Sequence, residues 1–327
     1  MIVLEETLFR QFNIAKRQLN YVRQEISNLE YALRSLDIFG EITDVFVGYT
    51  SIKYVVSSNS LADDLLSLDK LNQYIRANKI NKYVKNNNII IELPNPFRQI
   101  LLFGNTINNE YINNKPQFEV VLGIDYKKNI YKLNLENNPL LITGKRNSGK
   151  RNLLNVIMAS LMLRFEDLAI DLVDTTYDLG YLYKFQLINL IEITSYLSEI
   201  ENYINENKKR VIIINDLADL SKEVEDIISL IKYVKKLGVA VVIISSNPDV
   251  SNMVLPYVES VIALELDSEE ESMKSIGIKG AENLLGKGDS IVKSNFNLDR
   301  IQTSLYTQEE MEDLIKVVNE LIWIKNY

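Results

Sequence analysis

The sequence predicts an α/β chain with a mostly parallel sheet, preceded by a small α+β module and a long N-terminal helix. Three observations predict it: short apolar runs alternating with helical segments in the second half, a strand, glycine loop and helix in succession around Gly144 to Arg151, and a heptad repeat at the start. At 327 residues and 46% apolar content the chain exceeds one average domain and can bury a sizeable core. A net charge of −8 argues against a generally basic, nucleic-acid-coating surface, while leaving room for a local basic lining. Cysteine and histidine are both absent, which excludes a disulfide framework, a zinc site and histidine-based acid/base catalysis.

Leu8, Phe12, Ala15, Leu19, Val22, Ile26, Leu29 and Leu33 recur at alternating spacings of four and three, predicting a heptad helix over residues 1–38. Such a stripe fits a helix lying on its own domain as well as a coiled coil with another chain. Residues 39–103 read as the small module. Ile42–Val47 and Ser51–Val56 are β-rich runs around Gly48, Ala62–Ala77 is helical, and Asn88–Leu93 is a strand stopped by Pro94. The Asn-rich stretch 104–117 reads as a linker.

Residues 118–305 form the large domain and 306–327 a C-terminal helix. The runs Glu119–Leu122, Leu140–Thr143, Leu168–Val173, Val211–Ile214 and Ala240–Ile244 have the continuous apolar character of fully buried parallel strands. The start lacks a basic segment followed by an apolar one, so no signal peptide is expected. The longest apolar stretches fall short of the roughly 20 residues that span a bilayer. A cytoplasmic protein without a transmembrane segment is the expectation.

Gly144, Lys145, Arg146, Asn147, Ser148, Gly149, Lys150 and Arg151, followed by Asn152, match the phosphate-binding pattern G-x-x-x-x-G-K-[ST] at every position but the last. In that pattern the loop amides and the lysine hold nucleotide phosphates while the final hydroxyl ligates Mg²⁺. Arg151 has no acceptor and cannot ligate a metal. It either neutralises phosphate directly from the metal's position or pairs with a carboxylate such as Asp216 and locks an empty loop. ATP is the cofactor the loop is shaped for; Mg²⁺ is not expected. Hydrolysis also needs an acidic strand end. Here the strand Arg210–Ile214 ends in neutral Asn215, leaving Asp216 to do two jobs.

Several segments resemble the FtsK/SpoIIIE-type DNA translocases. Arg210 to Leu220 is similar to their V-D-E-F-A-D-L strand, and Gly280 to Asp289 to their G-A-E-x-L-L-G-x-G-D segment. Glu92-Leu93-Pro94-Asn95 resembles their E-x-P-N, and Val121 to Asp125 their L-G-x-D strand. The resemblance implies a RecA-like P-loop motor domain that assembles as a hexameric ring around duplex DNA. It also locates departures. Asp174-Thr175-Thr176 stands where the family has Asp-Pro-Lys. In Ile244 to Pro248, Ser246 replaces a glutamine that senses the γ-phosphate, and Asn247 replaces an arginine. Val261 and Met273 stand where the family carries arginines, one of them poised toward a neighbouring subunit; such a finger is worth about 10³ or more in rate.

With Arg151 and Asn215, these departures imply a catalytically inactive subunit. It would act in an oligomer, with copies of itself or with an active paralogous motor, or as a DNA-associated scaffold. Two alternatives are an active double-stranded DNA translocase using Asp216 or Asp174 as an atypical metal ligand, and a degenerate ATPase component of a protein secretion system. Candidate DNA-facing clusters are Lys127-Lys128, Lys145-Arg146, Lys208-Lys209-Arg210, and Lys232 with Lys235-Lys236. The winged helix that often follows the motor is not expected in the segment after Val292.

Overall fold

The computed structural model describes residues 16–58, 68–75, 77, 79–85, 87–113, 118–165, 168–174, 176–192, 196, 209–217, 224–235, 237–294 and 297–326. They fall into two compact units: residues 1–100 with 126–128, and residues 101–125 with 129–327.

In the smaller unit, β1 (Gly40–Val47), β2 (Ser51–Ser58), β3 (Asn81–Lys85) and β4 (Asn88–Pro94) form an antiparallel sheet in the order β1-β2-β4-β3. Helix α1 (Lys16–Ser35) buries Leu19, Val22, Ile26, Leu29 and Leu33 in the same core as Ile52, Tyr54, Val56 and Ile91 of the sheet. The described part of the heptad stripe is therefore covered by its own unit; Leu8, Phe12 and Ala15 lie outside the described residues. Of the helix expected over 62–77, α2 (Leu68–Tyr74) is described. Strand β3 has no signal in the sequence, because N-K-Y-V-K carries no apolar run.

The segment Glu92 to Asn95 closes this unit. Glu92 is buried and accepts hydrogen bonds from Asn81 Nδ2 and Tyr83 Oη, each at 3.0 Å. Asn95 Nδ2 donates to the Gly48 carbonyl at 2.7 Å, and its Oδ1 accepts from the Phe97 amide at 2.9 Å. Buried polar groups must be bonded to be tolerated, so the resemblance at this segment has a folding explanation.

The larger unit holds a ten-stranded sheet in the order β6-β5-β14-β13-β12-β7-β11-β10-β8-β9. Its parallel part comprises β12 (Ser260–Ala263), β7 (Leu140–Thr143), β11 (Ala240–Ser245), β10 (Lys209–Asn215), β8 (Leu168–Asp174) and β9 (Ile188–Leu190). Successive side chains of these strands serve opposite faces. Leu140, Ile142 and Ile213 join one core with helices α4 (Lys150–Met162) and α8 (Gln308–Asn326). Leu141, Ile212 and Ile214 join another with α5 (Val224–Val234), α6 (Pro248–Val254) and α7 (Glu269–Ile276). This two-sided burial is why the strands read as unbroken apolar runs.

The run at Glu119–Leu122 departs from the parallel expectation. β5 (Glu119–Ile124) pairs antiparallel with β6 (Ile130–Asn134) and with β14 (Asn297–Thr303), which pairs antiparallel with β13 (Asp289–Ser294). Gly123 permits the β5–β14 contact, since a Cβ there would stand 1.9 Å from the Gln302 carbonyl oxygen. Within the stretch expected as a linker, Tyr111, on the short helix α3 (Asn109–Asn113), is buried and donates its hydroxyl to the Glu119 carbonyl at 2.7 Å. Just before that stretch, Phe103 packs edge-on against Tyr306 at 5.0 Å.

Candidate phosphate-binding site

The loop between β7 and α4 turns at the carboxyl end of the sheet, where α/β folds place their ligands. Three residues adopt positive φ: Gly144 at 155°, Asn147 at 62° and Gly149 at 110°. Gly144 also has no room for a side chain, because a Cβ would lie 2.6 Å from Ser148 Oγ. These values turn the chain tightly enough that α4 starts at Lys150, with its free amides facing the loop.

A cavity of about 590 Å³ lies against this loop. It is lined by Arg146, Asn147, Gly149, Lys150 and Arg151 from the loop and helix start, by Asn215, Asp216, Ile244 and Ser246 from the ends of β10 and β11, and by Thr176 and Asp178 after β8. Lys150 Nζ donates to the carbonyls of Gly144 at 2.7 Å and Lys145 at 2.8 Å. Burial lowers its pKa to about 8, with Arg146 pushing the same way and Asp216 opposing.

Arg151 pairs with Asp178 at 3.4 Å, not with Asp216. Asp216 adopts φ of 49° and accepts a hydrogen bond from Ser246 Oγ at 2.9 Å, so the serine after β11 reaches the carboxylate after β10 directly. Asn215 donates its amide to Asp174 Oδ1 at 2.8 Å. The same oxygen accepts from Thr176 Oγ1, and Asp174 Oδ2 accepts from the Leu179 amide and from Tyr183 Oη, at 2.8 to 3.0 Å. Burial and the neighbouring Asp174 together raise the Tyr183 phenol above its ordinary pKa.

Other sequence candidates lie off the cavity. Lys145 bridges Glu265 and Asp267, each at 3.1 Å. Ser148 is buried, its hydroxyl without a hydrogen-bond partner. Asn152 clamps the chain after β14, donating to the Ser304 carbonyl at 2.8 Å and accepting from the Tyr306 amide at 2.9 Å. Val261 is buried in β12 between Leu141 and Lys293, and Met273 is on α7, 44% exposed. Asn247 caps the N-terminus of α6, accepting from the amides of Asp249 and Val250.

Among the DNA-facing clusters, Arg210 is a correction: it is buried, donating to Asp171 Oδ2 at 2.5 Å, with Tyr196 bonded to the same carboxylate. Lys232 stands over the Tyr257 ring and Lys235 pairs with Glu259. Lys208 and Lys236 lie outside the described residues, as do residues 218–220 of the strand segment that resembles the translocases. In the sequence Thr176 stands out only as a departure from the resembled pattern, and Asp178 carries no signal at all.

The segment Gly280 to Asp289 is a folding device. Asp289 forms a two-bond pair with Arg300 at 2.8 and 2.6 Å, both side chains buried, and accepts from the Leu285 amide at 2.9 Å. Gly288, at φ of 87°, leaves space that a Cβ would take from Gln302 Nε2 at 2.5 Å.

Residues 105–177, which include the loop and β8, match the FtsK/SpoIIIE family model. The DNA translocase FtsK of Streptococcus pyogenes is 24% identical across 93% of this chain. The chain resembles the FtsK/SpoIIIE family most clearly in this segment. It spans less than half, 45%, of that curated relative's length. FtsK of Staphylococcus aureus is 32% identical over a shorter stretch, 34% of this chain and 15% of its own. Among solved structures, the monomer form of the pCW3 conjugation coupling protein TcpA with ATPγS superposes with a TM-score of 0.59 at 14% identity, covering 90% of this chain and 99% of TcpA. The cytoplasmic domain of the type VII secretion ATPase EccC of Thermomonospora curvata gives 0.55 at 16%, covering 67% and 34%. The chain thus has the RecA-like P-loop fold that these proteins share. No helix among its described residues is long and apolar enough to cross a membrane.

Proposed function

We propose that this protein is a non-hydrolysing FtsK/SpoIIIE-like motor subunit that works through assembly, in a DNA-translocase-type oligomer or as a DNA-associated scaffold. One observation carries the reading. The positions that a P-loop motor uses for hydrolysis are rebuilt as a hydrogen-bonded network in which the remaining carboxylates are engaged by uncharged donors, with Asn215 tied to Asp174 and Ser246 tied to Asp216. An ATPase of this kind needs a metal and a stabilised transition-state charge. The residues present do not fit Mg²⁺: the hydroxyl position is a guanidinium, the strand-end carboxylate is an amide, and Asp174 has both oxygens engaged by uncharged donors.

They do fit a polyphosphate. The positive-φ loop, the helix start, Lys150 and two arginines meet at one cavity. ATP bound there would supply a triphosphate for this frame to hold, and Val261 and Met273 offer no arginine to a neighbouring subunit. The test is ATP turnover by the full chain with and without duplex DNA. Background hydrolysis is expected; DNA-stimulated turnover abolished by Lys150→Ala overturns the reading. The specific support for the opposite reading is Asp216, a carboxylate lining the cavity, and Asp216→Asn abolishing turnover would establish it.

A further inference from the structure

The donor set around the cavity disagrees with the magnesium that this fold implies. We propose that the cavity binds the triphosphate chain of a nucleotide free of divalent metal, with Arg151 supplying the positive charge. The inference rests on reading the loop as a retained phosphate site.

Magnesium demands near-octahedral oxygen ligation and usually one or two carboxylates. Among the described residues, no three or more acidic side chains stand together as a metal cluster. The two carboxylates that line the cavity are Asp178, paired with Arg151, and Asp216, bonded by Ser246. Asp174, behind them, accepts four hydrogen bonds, two on each oxygen.

Arg146, Lys150 and Arg151 line the same cavity, three cations against those two carboxylates. A guanidinium presents a planar fork of donors matched to phosphate oxygens and stays charged at any working pH. Its present partner is easily given up, because the Arg151 and Asp178 side chains are 48% and 59% exposed and an exposed pair is weakly held. Mg²⁺ would coat the oxygens that Arg151 reaches and cancel the charge that draws it. The metal complex is therefore the poorer ligand, the reverse of an active P-loop enzyme.

Equilibrium binding of a fluorescent ATP to the full chain, first in excess EDTA and then in excess Mg²⁺, tests this, with inorganic tripolyphosphate as competitor. Binding in EDTA at least about fivefold tighter than in Mg²⁺ is expected, and tripolyphosphate should displace the probe. Arg151→Ala should weaken binding in EDTA about tenfold and erase the preference, whereas Asp178→Asn should strengthen it severalfold by releasing the arginine. Thermal melts of both variants check folding. Equal or tighter binding in Mg²⁺, failure of tripolyphosphate to compete, or no binding in either condition overturns the proposal. None of these outcomes touches the non-hydrolysing reading, which fails only on measured turnover.

Discussion

Arg151 reaches Asp178 at 3.4 Å across the mouth of the cavity and leaves Asp216 to the hydroxyl of Ser246. The arginine therefore does not bolt the loop to the strand end opposite. It rests on a carboxylate of the segment after β8, at a position where exchange for a ligand costs little.

The ammonium of Lys150 should make anion binding pH-dependent. Burial lowers its pKa to about 8, so protonated lysine is already being lost in mildly alkaline solution, while a bound anion would restore the proton. Affinity for tripolyphosphate should be flat below pH 7 and fall toward tenfold per unit above pH 8, as read by titration in EDTA. The same shift acts on folding with a definite sign. The unfolded lysine, near its ordinary 10.5, holds more protons between about pH 8 and 10.5, so this group's contribution to stability rises with pH through that window.

Asn152 should prove structural. Its two bonds to the backbone at Ser304 and Tyr306 hold the end of the sheet against α4, and it does not line the cavity. Asn152→Ala should cost about 1–3 kcal/mol in denaturant unfolding, because it leaves two partly buried backbone groups without that partner. Tripolyphosphate affinity should stay within about twofold, an experimental margin well under the tenfold that 1.4 kcal/mol represents.

Breaking the Asp289–Arg300 pair should be severe. Both side chains are buried, so Asp289→Asn removes the charge that balances the guanidinium in the core, at a cost of about 3–5 kcal/mol. The double change Asp289→Leu with Arg300→Met should unfold at higher denaturant than the single variant, since no charge is left unpaired.

Much of this architecture was legible from apolar patterning. Leu140–Thr143, Val211–Ile214 and Ala240–Ile244 are buried on both faces, and a run that must avoid water on two sides can hardly be disguised. The loop was legible because Gly144 and Gly149 adopt backbone angles that suit glycine. Pairing across long sequence distances was not legible: nothing near Glu119 announces β14 as its neighbour. Charge was the least readable property. Arg210 sits in a run of cations that looks solvated, yet its partner Asp171 lies on the adjacent strand. Asp178 entered the cavity through the path of the chain after β8, which no local spacing encodes.

The β5–β14 seam also bears on how the protein is made. The β5–β6 hairpin leaves the ribosome early, but the strand that joins it to the rest of the sheet, at Gln302 and Thr303, emerges only after nearly the whole large unit has been synthesised. Until then one edge of that hairpin has open backbone groups, the kind of template on which nascent chains aggregate. Chains truncated before Asn297 should keep that edge open and sediment with the aggregated fraction, which centrifugation of the expressed protein checks.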